Sequence, residues 1–156
     1  MLKAGDWILS ILMGCFVGTV YFLIEVVYKT AIGFPEGISW TMLVLALVIG
    51  IIMERMGANL SWRCPIWAQA LFCGAAITTA EFVTGCIVNL WLGWGVWDYS
   101  NLPGNSMGQI CPQFSAIWFI ISGPAIVALD WIRYAVRGGE KPYYCFRVRF
   151  CRGHRR

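Results

Sequence analysis

Charged residues are scarce in this sequence: Asp, Glu, Lys and Arg make up 13% of its 156 residues, about half of the ~25% that is usual in soluble domains. Hydrophobic residues make up 59%, against roughly 45–50% in such domains. A water-soluble fold of this size has no way to bury so much apolar surface, whereas a bilayer can solvate the outward faces of its helices. The composition therefore predicts an integral membrane protein and excludes an ordinary soluble domain.

Recognisable catalytic and nucleotide-binding motifs are missing as well. The sequence contains no GxxxxGK[ST] loop, so it cannot hold ATP through a P-loop. Its single histidine, His154, lies near the C-terminal end, which argues against a histidine-rich metal site or a histidine-dependent triad within a chain. The cysteines imply no secreted disulfide framework, and Cys145 and Cys151 are expected to be reduced thiols. We therefore expect no cofactor, no metal and no enzymatic activity.

Four apolar stretches are long enough to cross a hydrocarbon core, which takes about 20 helical residues. They lie at about residues 7–28, 37–56, 66–92 and 113–136. The predicted fold class is all-α: a polytopic membrane helix bundle of about four transmembrane helices in residues 1–136, followed by a basic tail in residues 137–156. Most tryptophans fall near the ends of these spans, as the aromatic belt of a membrane protein requires. Only Trp118 lies well inside one.

The basic residues predict the orientation. With four spans both termini share a side, and of the twelve Lys and Arg residues all except Lys29 fall on that side. Cytoplasmic segments carry an excess of Lys and Arg, so we expect cytoplasmic N- and C-termini in an inner (plasma) membrane. The tail is then expected to contact anionic lipid headgroups, and nucleic acid is not an expected partner. The loop between the third and fourth spans, residues 92–112, is expected to face outward.

Two carboxylates inside the spans are the first functional signal. Glu25 and Glu81 lie about 27 Å and about 21 Å along their helices from the cytoplasmic end, at a rise of about 1.5 Å per residue. Carboxylates at comparable depth can share a proton, bind a cation or accept hydrogen bonds from neighbouring helices. Glu25 can also snorkel to the outer interface. Glu81 is too deep to do so, and it shares one helical stripe with Gly85 and Asn89.

The 92–112 loop is the most distinctive segment. Its stretch WDYSNLPGNSMGQIC, Trp97 to Cys111, combines aromatic rings and amides with Gly and Pro turn formers. A connecting loop would not need so dense a set of polar groups, and this one is expected to fold over the outer ends of the helices. The candidate ligand-binding residues of the protein are Glu25, Glu81, Asn89, Asp98, Tyr99, Asn101, Asn105 and Gln109.

Three further features have structural explanations. Asp130 lies one turn before Arg133, and Glu54 adjoins Arg55, so both are expected to form ion pairs at the cytoplasmic interface. Gly14 and Gly18 form a GxxxG pair, which is typical of a helix-packing face.

The segment from Glu81 to Trp118, EFVTGCIVNLWLGWGVWDYSNLPGNSMGQICPQFSAIW, resembles the putative ABC-transporter type IV family of bacterial membrane proteins, also called CmpB-like. The first span, with GTVYFLIEVVY, resembles the start of the family. The resemblance implies a permease. The residues that carry it in the longer segment are Glu81, Thr84, Gly85, Trp97, Asp98, Tyr99, Ser100, Pro103, Asn105, Gly108, Gln109, Ile110, Cys111 and Ser115.

Two functions from different classes remain open. The first is a small membrane transport protein, a permease or transporter subunit, with an outward-facing polar pocket built from the candidate residues. Four spans alone rarely enclose a path, so a homo-oligomer or a partner membrane subunit is expected, with a separate ATPase as a further option. The alternative is a non-transporting accessory or sensor protein that binds a ligand or lipid through the outer loop. A membrane enzyme ranks third because no nucleophile–base pair is visible.

Overall fold

The chain forms four long helices in the computed structural model, which describes residues 4–31, 33, 38–60, 64–138 and 140–146. Helix α1 spans Ala4–Ala31, α2 Trp40–Asn59, α3 Ile66–Gly85 and α4 Pro112–Arg137. Each is long and apolar enough to cross a membrane, and the described residues contain no strand. The prediction of an all-α membrane bundle is confirmed. Much of the basic tail lies outside the described residues.

Local sequence signals explain where the helices begin and end. Helix α2 starts at Trp40 rather than near residue 37 because Ser39 is its N-cap, with the Ser39 hydroxyl accepting the Thr41 N–H at 3.3 Å. Helix α4 starts at Pro112, whose missing N–H costs nothing in a first turn. It ends before Gly138, which adopts a φ of 68° that favours glycine.

Glycines set the packing of the helices in two pairs. A Cβ atom on Gly14 would lie 2.5 Å from the Cα of Ile51, closer than real side chains approach. Gly18 and Gly50 are equally crowded by backbone of the facing helix, so α1 and α2 are in backbone contact and the predicted GxxxG packing face is confirmed. Helix α3 approaches α4 in the same way at Gly74. The boundary between the α1–α2 pair and the α3–α4 pair is called the seam below.

The buried core lies along the seam and draws on all four helices. Outward-facing apolar side chains remain exposed on every helix, as a lipid-solvated surface requires: Ile24, Val44, Phe72 and Ile120 are examples. The core cluster consists of Met13, Met53, Ala70, Cys73, Ile77, Ile126 and Leu129.

The segment after α4 turns back against the bundle. The Cys145 carbonyl accepts the N–H of Ile66 at 2.9 Å, at the start of α3. Lys141 lies 5.7 Å from the ring centre of Trp131. Cys145 is buried and disulfide-bonded, so the expectation that it is a reduced thiol is wrong.

Candidate functional site

The Glu81 carboxylate lies at the centre of the site. It is 2% exposed, and both of its oxygens accept hydrogen bonds: Oε1 from the Tyr99 hydroxyl at 3.0 Å and Oε2 from the Trp118 indole N–H at 2.8 Å. Tyr99 belongs to the 92–111 loop and Trp118 to α4, so three separate parts of the chain converge on one carboxylate. A carboxyl group inside a membrane is costly and is typically retained for function.

A small cavity adjoins Glu81 on the seam. The Tyr21 ring of α1 contacts the Trp118 ring edge-on, with 5.5 Å between ring centres, and so spans the seam beside the carboxylate. The cavity measures about 20 Å³, which is room for about one water molecule. Its lining is largely apolar and consists of Tyr21, Met42, Leu45, Ala46, Ile49, Ile77, Glu81 and Trp118.

Glu25 occupies a neighbouring position on α1. Its Oε1 pairs with the Lys29 ammonium at 2.8 Å, one helical turn further along. Its Oε2 is buried and has no hydrogen-bond partner among the described residues. Glu25 and Glu81 interact electrostatically, and Tyr21 interacts with both. The two span carboxylates therefore lie in one region of the bundle, one beside a cation and the other among neutral donors.

A π-helical turn, Cys86–Trp91, continues α3 and carries Asn89 to the loop. Such turns are rare and frequently occur at functional sites. The Asn89 amide donates to the Trp97 carbonyl at 3.0 Å and to Gln109 Oε1 at 2.8 Å, and its Oδ1 accepts the Val96 N–H at 2.7 Å. Gly85 leaves the space for this network, since a Cβ atom there would lie 2.6 Å from Gln109 Oε1.

The rest of the loop is held by its own hydrogen bonds. Asp98 accepts the Ser100 hydroxyl and backbone N–H, at 2.5 and 2.8 Å, and these bonds lower the pKa of the Asp98 carboxyl. Asn105 accepts the Gly108 N–H at 3.0 Å and donates to two backbone carbonyls. Asn101 is exposed. The loop is thus an internally bonded cap over the ends of α3 and α4.

Tyr99 connects this cap to the buried carboxylate. Its ring stacks on Phe114 of α4, with centres 4.7 Å apart. Burial raises the pKa of the Tyr99 hydroxyl. The hydroxyl therefore keeps its own proton at physiological pH and can either donate or accept a hydrogen bond.

A second charged cluster lies at the opposite end of the bundle. Arg133 Nε approaches Glu54 Oε1 at 3.1 Å and its Nη1 approaches Asp130 Oδ1 at 2.7 Å. The predicted Asp130–Arg133 pair is confirmed, whereas the predicted Glu54–Arg55 pair is wrong: Arg55 instead stacks over the Trp7 ring, 3.7 Å from its centre. Residues i and i+1 do not face each other on a helix.

The same cluster is buried inside the bundle. Glu54 is 0% and Asp130 2% exposed. Arg133 joins α4 to α2, and Arg137 joins α4 to α1 through Ser10 at 3.1 Å. Because both bonds cross the seam, they fasten the two helix pairs together at this end. Sequence reasoning missed the Glu54–Arg133 contact because its partners are 79 positions apart.

Two other residues of the site were not among the predicted ones. Trp118 and Tyr21 lie beside Glu81. From the sequence, both belong to the hydrophobic part of their spans. Trp118 carried a signal, because it alone among the tryptophans lies well inside a span, where an indole N–H needs a partner. Tyr21 also has a polar tip inside an apolar run.

The family model described as putative ABC-transporter type IV matches residues 7–137. This match covers all four helices, the Glu81 centre and the cap. The chain belongs to this family. No curated protein and no solved structure is significantly similar to it. Membership of the family, together with the four apolar helices, indicates an ABC-transporter-related membrane protein.

Proposed function

We propose that the chain is a small membrane transport protein, working as a permease or as one subunit of a transporter. The observation that carries this proposal is the buried Glu81 carboxylate, held on the seam between two helix pairs beside a water-sized cavity. Transporters place polar groups near the middle of the membrane, at the boundary between parts that move against each other. No catalytic role is assigned to the site.

On this proposal the transport path runs along the seam, and contacts close the seam at both ends. At the loop end, the Tyr21–Trp118 contact between α1 and α4 closes it. At the other end, the Arg133–Glu54 bonds close it. The cavity beside Glu81 has room for about one water, too little for a solute to pass, and this arrangement is called occluded below. Passage then requires the two helix pairs to part, and each pair is tightly packed enough to move as a unit.

The orientation of the chain in the membrane is part of the same proposal, and so are its partners. The basic asymmetry favours cytoplasmic termini and an outward-facing cap in an inner (plasma) membrane. Disulfides are rare in the cytosol, so the disulfide at Cys145 is an observation against this orientation, which thiol labelling at residue 106 tests. Four helices enclose little space, which supports a second copy or a partner membrane subunit, with an ATPase as a further component.

Thiol labelling tests whether the seam opens to water. Ala46→Cys places a thiol on the cavity wall, and Val44→Cys places one on the lipid-facing surface of the same helix. In vesicles treated with a water-soluble, membrane-impermeant thiol reagent, Ala46→Cys should react and Val44→Cys should not, because the reactive thiolate requires water. Mass spectrometry of the α2 peptide separates these reactions from those of native cysteines. Equal, negligible labelling of both variants from either side of the membrane would favour the accessory or sensor function instead.

A further inference from the structure

The groups around Glu81 are neutral donors and apolar side chains. Its hydrogen-bond partners, the Tyr99 hydroxyl and the Trp118 indole N–H, carry no charge. The side chains that α2 contributes to the adjoining cavity are Met42, Leu45, Ala46 and Ile49, none of them titratable. From α1, Tyr21 and Glu25 face the same region. In the described part of the chain, no Lys or Arg is bonded to Glu81.

An ionised Glu81 would therefore be a buried negative charge that no bonded cation compensates. Glu25 shows the contrast on the same side of the bundle, because the Lys29 ammonium lies 2.8 Å from its Oε1. An uncompensated carboxylate in a membrane interior costs several kcal/mol. Something positive has to accompany the Glu81 carboxylate when the site is closed.

A metal cation does not fit the position. Hard cations take several oxygen ligands, whereas the Trp118 N–H can only donate and most of the cavity wall is hydrocarbon. The described residues contain no group of three potential metal-ligating side chains. A proton needs none of these ligands.

We propose that Glu81 is a proton-binding site and that the occluded protein holds one proton there. The hydrogen bonds decide which oxygen carries it. Since the Trp118 indole can only donate, Oε2 must remain an acceptor and is the carbonyl oxygen. The Tyr99 hydroxyl can either donate or accept, so Oε1 carries the proton and donates it to the Tyr99 oxygen.

The step balances without any further reactant. A hydronium ion that reaches the cavity transfers its proton to Oε1 and leaves a water molecule, and the Tyr99 hydroxyl turns from donor to acceptor. Release reverses both changes. Because Tyr99 belongs to the cap, a change in the protonation of Glu81 directly changes a hydrogen bond of the loop. This inference deepens the proposed function, and only the use of the proton in transport rests on that function.

Infrared spectroscopy of the full chain at neutral pH, in vesicles of ether-linked lipids that contain no ester carbonyl, tests the proposal directly. A protonated carboxyl shows a carbonyl stretch that a carboxylate lacks. We expect this band in the native protein and its loss in Glu81→Gln. Glu25→Gln is the matched control: it removes a carboxylate of the same region that is paired with Lys29, and the band should stay.

Two further variants distinguish the oxygens. Trp118→Phe removes the donor to Oε2, so the carbonyl band should move to higher frequency. Tyr99→Phe removes the acceptor of the Oε1 proton. The carbonyl band should remain, because Glu81 stays protonated, while the O–H stretch of its carboxyl group should change. A native protein without the band, or a band that survives in folded Glu81→Gln, would overturn the proposal.

The outcome is independent of the labelling experiment. A Glu81 band with an unreactive Ala46→Cys would leave the proton site standing and remove the transport function. A reactive Ala46→Cys without the band would support the transport function and remove the proton site. If Glu81→Gln fails to fold, the carbonyl shift in Trp118→Phe still decides the assignment, because only a protonated Glu81 responds to that change; an unshifted spectrum counts against it.

Discussion

Replacing Gly14 by alanine tests how the first two helices are held together. The added Cβ atom would lie 2.5 Å from Ile51 Cα, 2.6 Å from Ile51 N and 2.8 Å from the Gly50 carbonyl carbon. Ordinary contacts begin at about 3.4 Å. Every obstructing atom belongs to backbone, so no side chain can rotate away, and α1 and α2 must separate locally by about 1 Å.

The expected cost follows from two opposing effects. Overpacking of this kind costs about 1–3 kcal/mol, whereas exchanging glycine for alanine inside a helix returns up to about 1 kcal/mol. Gly57→Ala in α2 isolates the steric part, because its Cβ atom would lie 3.6 Å from the nearest atom, Arg133 Nη2. The helix preference is common to both variants, so Gly14→Ala should be the less stable by about 1–3 kcal/mol.

Unfolding by SDS in mixed micelles, followed by tryptophan fluorescence, measures this difference. The packing term is decisive here because lipid offers no hydrophobic force between helices, and close van der Waals contact replaces it. Equal unfolding free energies for Gly14→Ala and Gly57→Ala would show that the two helices are not in backbone contact at this position.

Three other predictions concern the ends of the bundle. A thiol introduced by Ser106→Cys should be labelled from outside by a membrane-impermeant reagent, and labelling only after permeabilisation would reverse the proposed orientation. Arg133→Ala leaves the buried Glu54 charge without its guanidinium partner and should cost about 3–5 kcal/mol of stability. Arg55→Ala removes only a ring contact and should cost about 1 kcal/mol or less. Similar thermal stabilities of the two variants would contradict the assignment of Arg133 as the partner of Glu54. The pKa of Asp98 is lowered in the folded loop, so the ionised Asp98 stabilises the folded loop. This stabilisation is present above the ordinary Asp pKa of about 3.9 and is lost as the pH falls through the lowered pKa of the folded state. The protection of the loop amides relative to their intrinsic, pH-dependent exchange rates should thus be constant from neutral pH down to about 5. A loss of protection within that range would refute the role of these hydrogen bonds.

The membrane class and the four helices follow from the sequence alone. Lipid solvates the outer faces, so each helix has to be apolar over its own length, and this requirement is local and readable from one segment at a time. Glu81 is singled out in the same way, because a carboxyl group inside an apolar run is unusual and is visible from that run alone. The GxxxG pair is local too, since both glycines lie on one face of α1.

Only the tertiary structure decided the partners of these groups. Glu81 bonds with Trp118 across 37 positions and Arg133 with Glu54 across 79. No helical period relates such residues, because their proximity depends on how the helices are arranged around the seam. For the same reason Arg55, although adjacent to Glu54 in the chain, points to Trp7. Four of the loop residues predicted to bind a ligand are likewise bonded within the loop or to α3 and its π-helical turn: Asp98, Tyr99, Asn105 and Gln109. Composition alone does not reveal these partners.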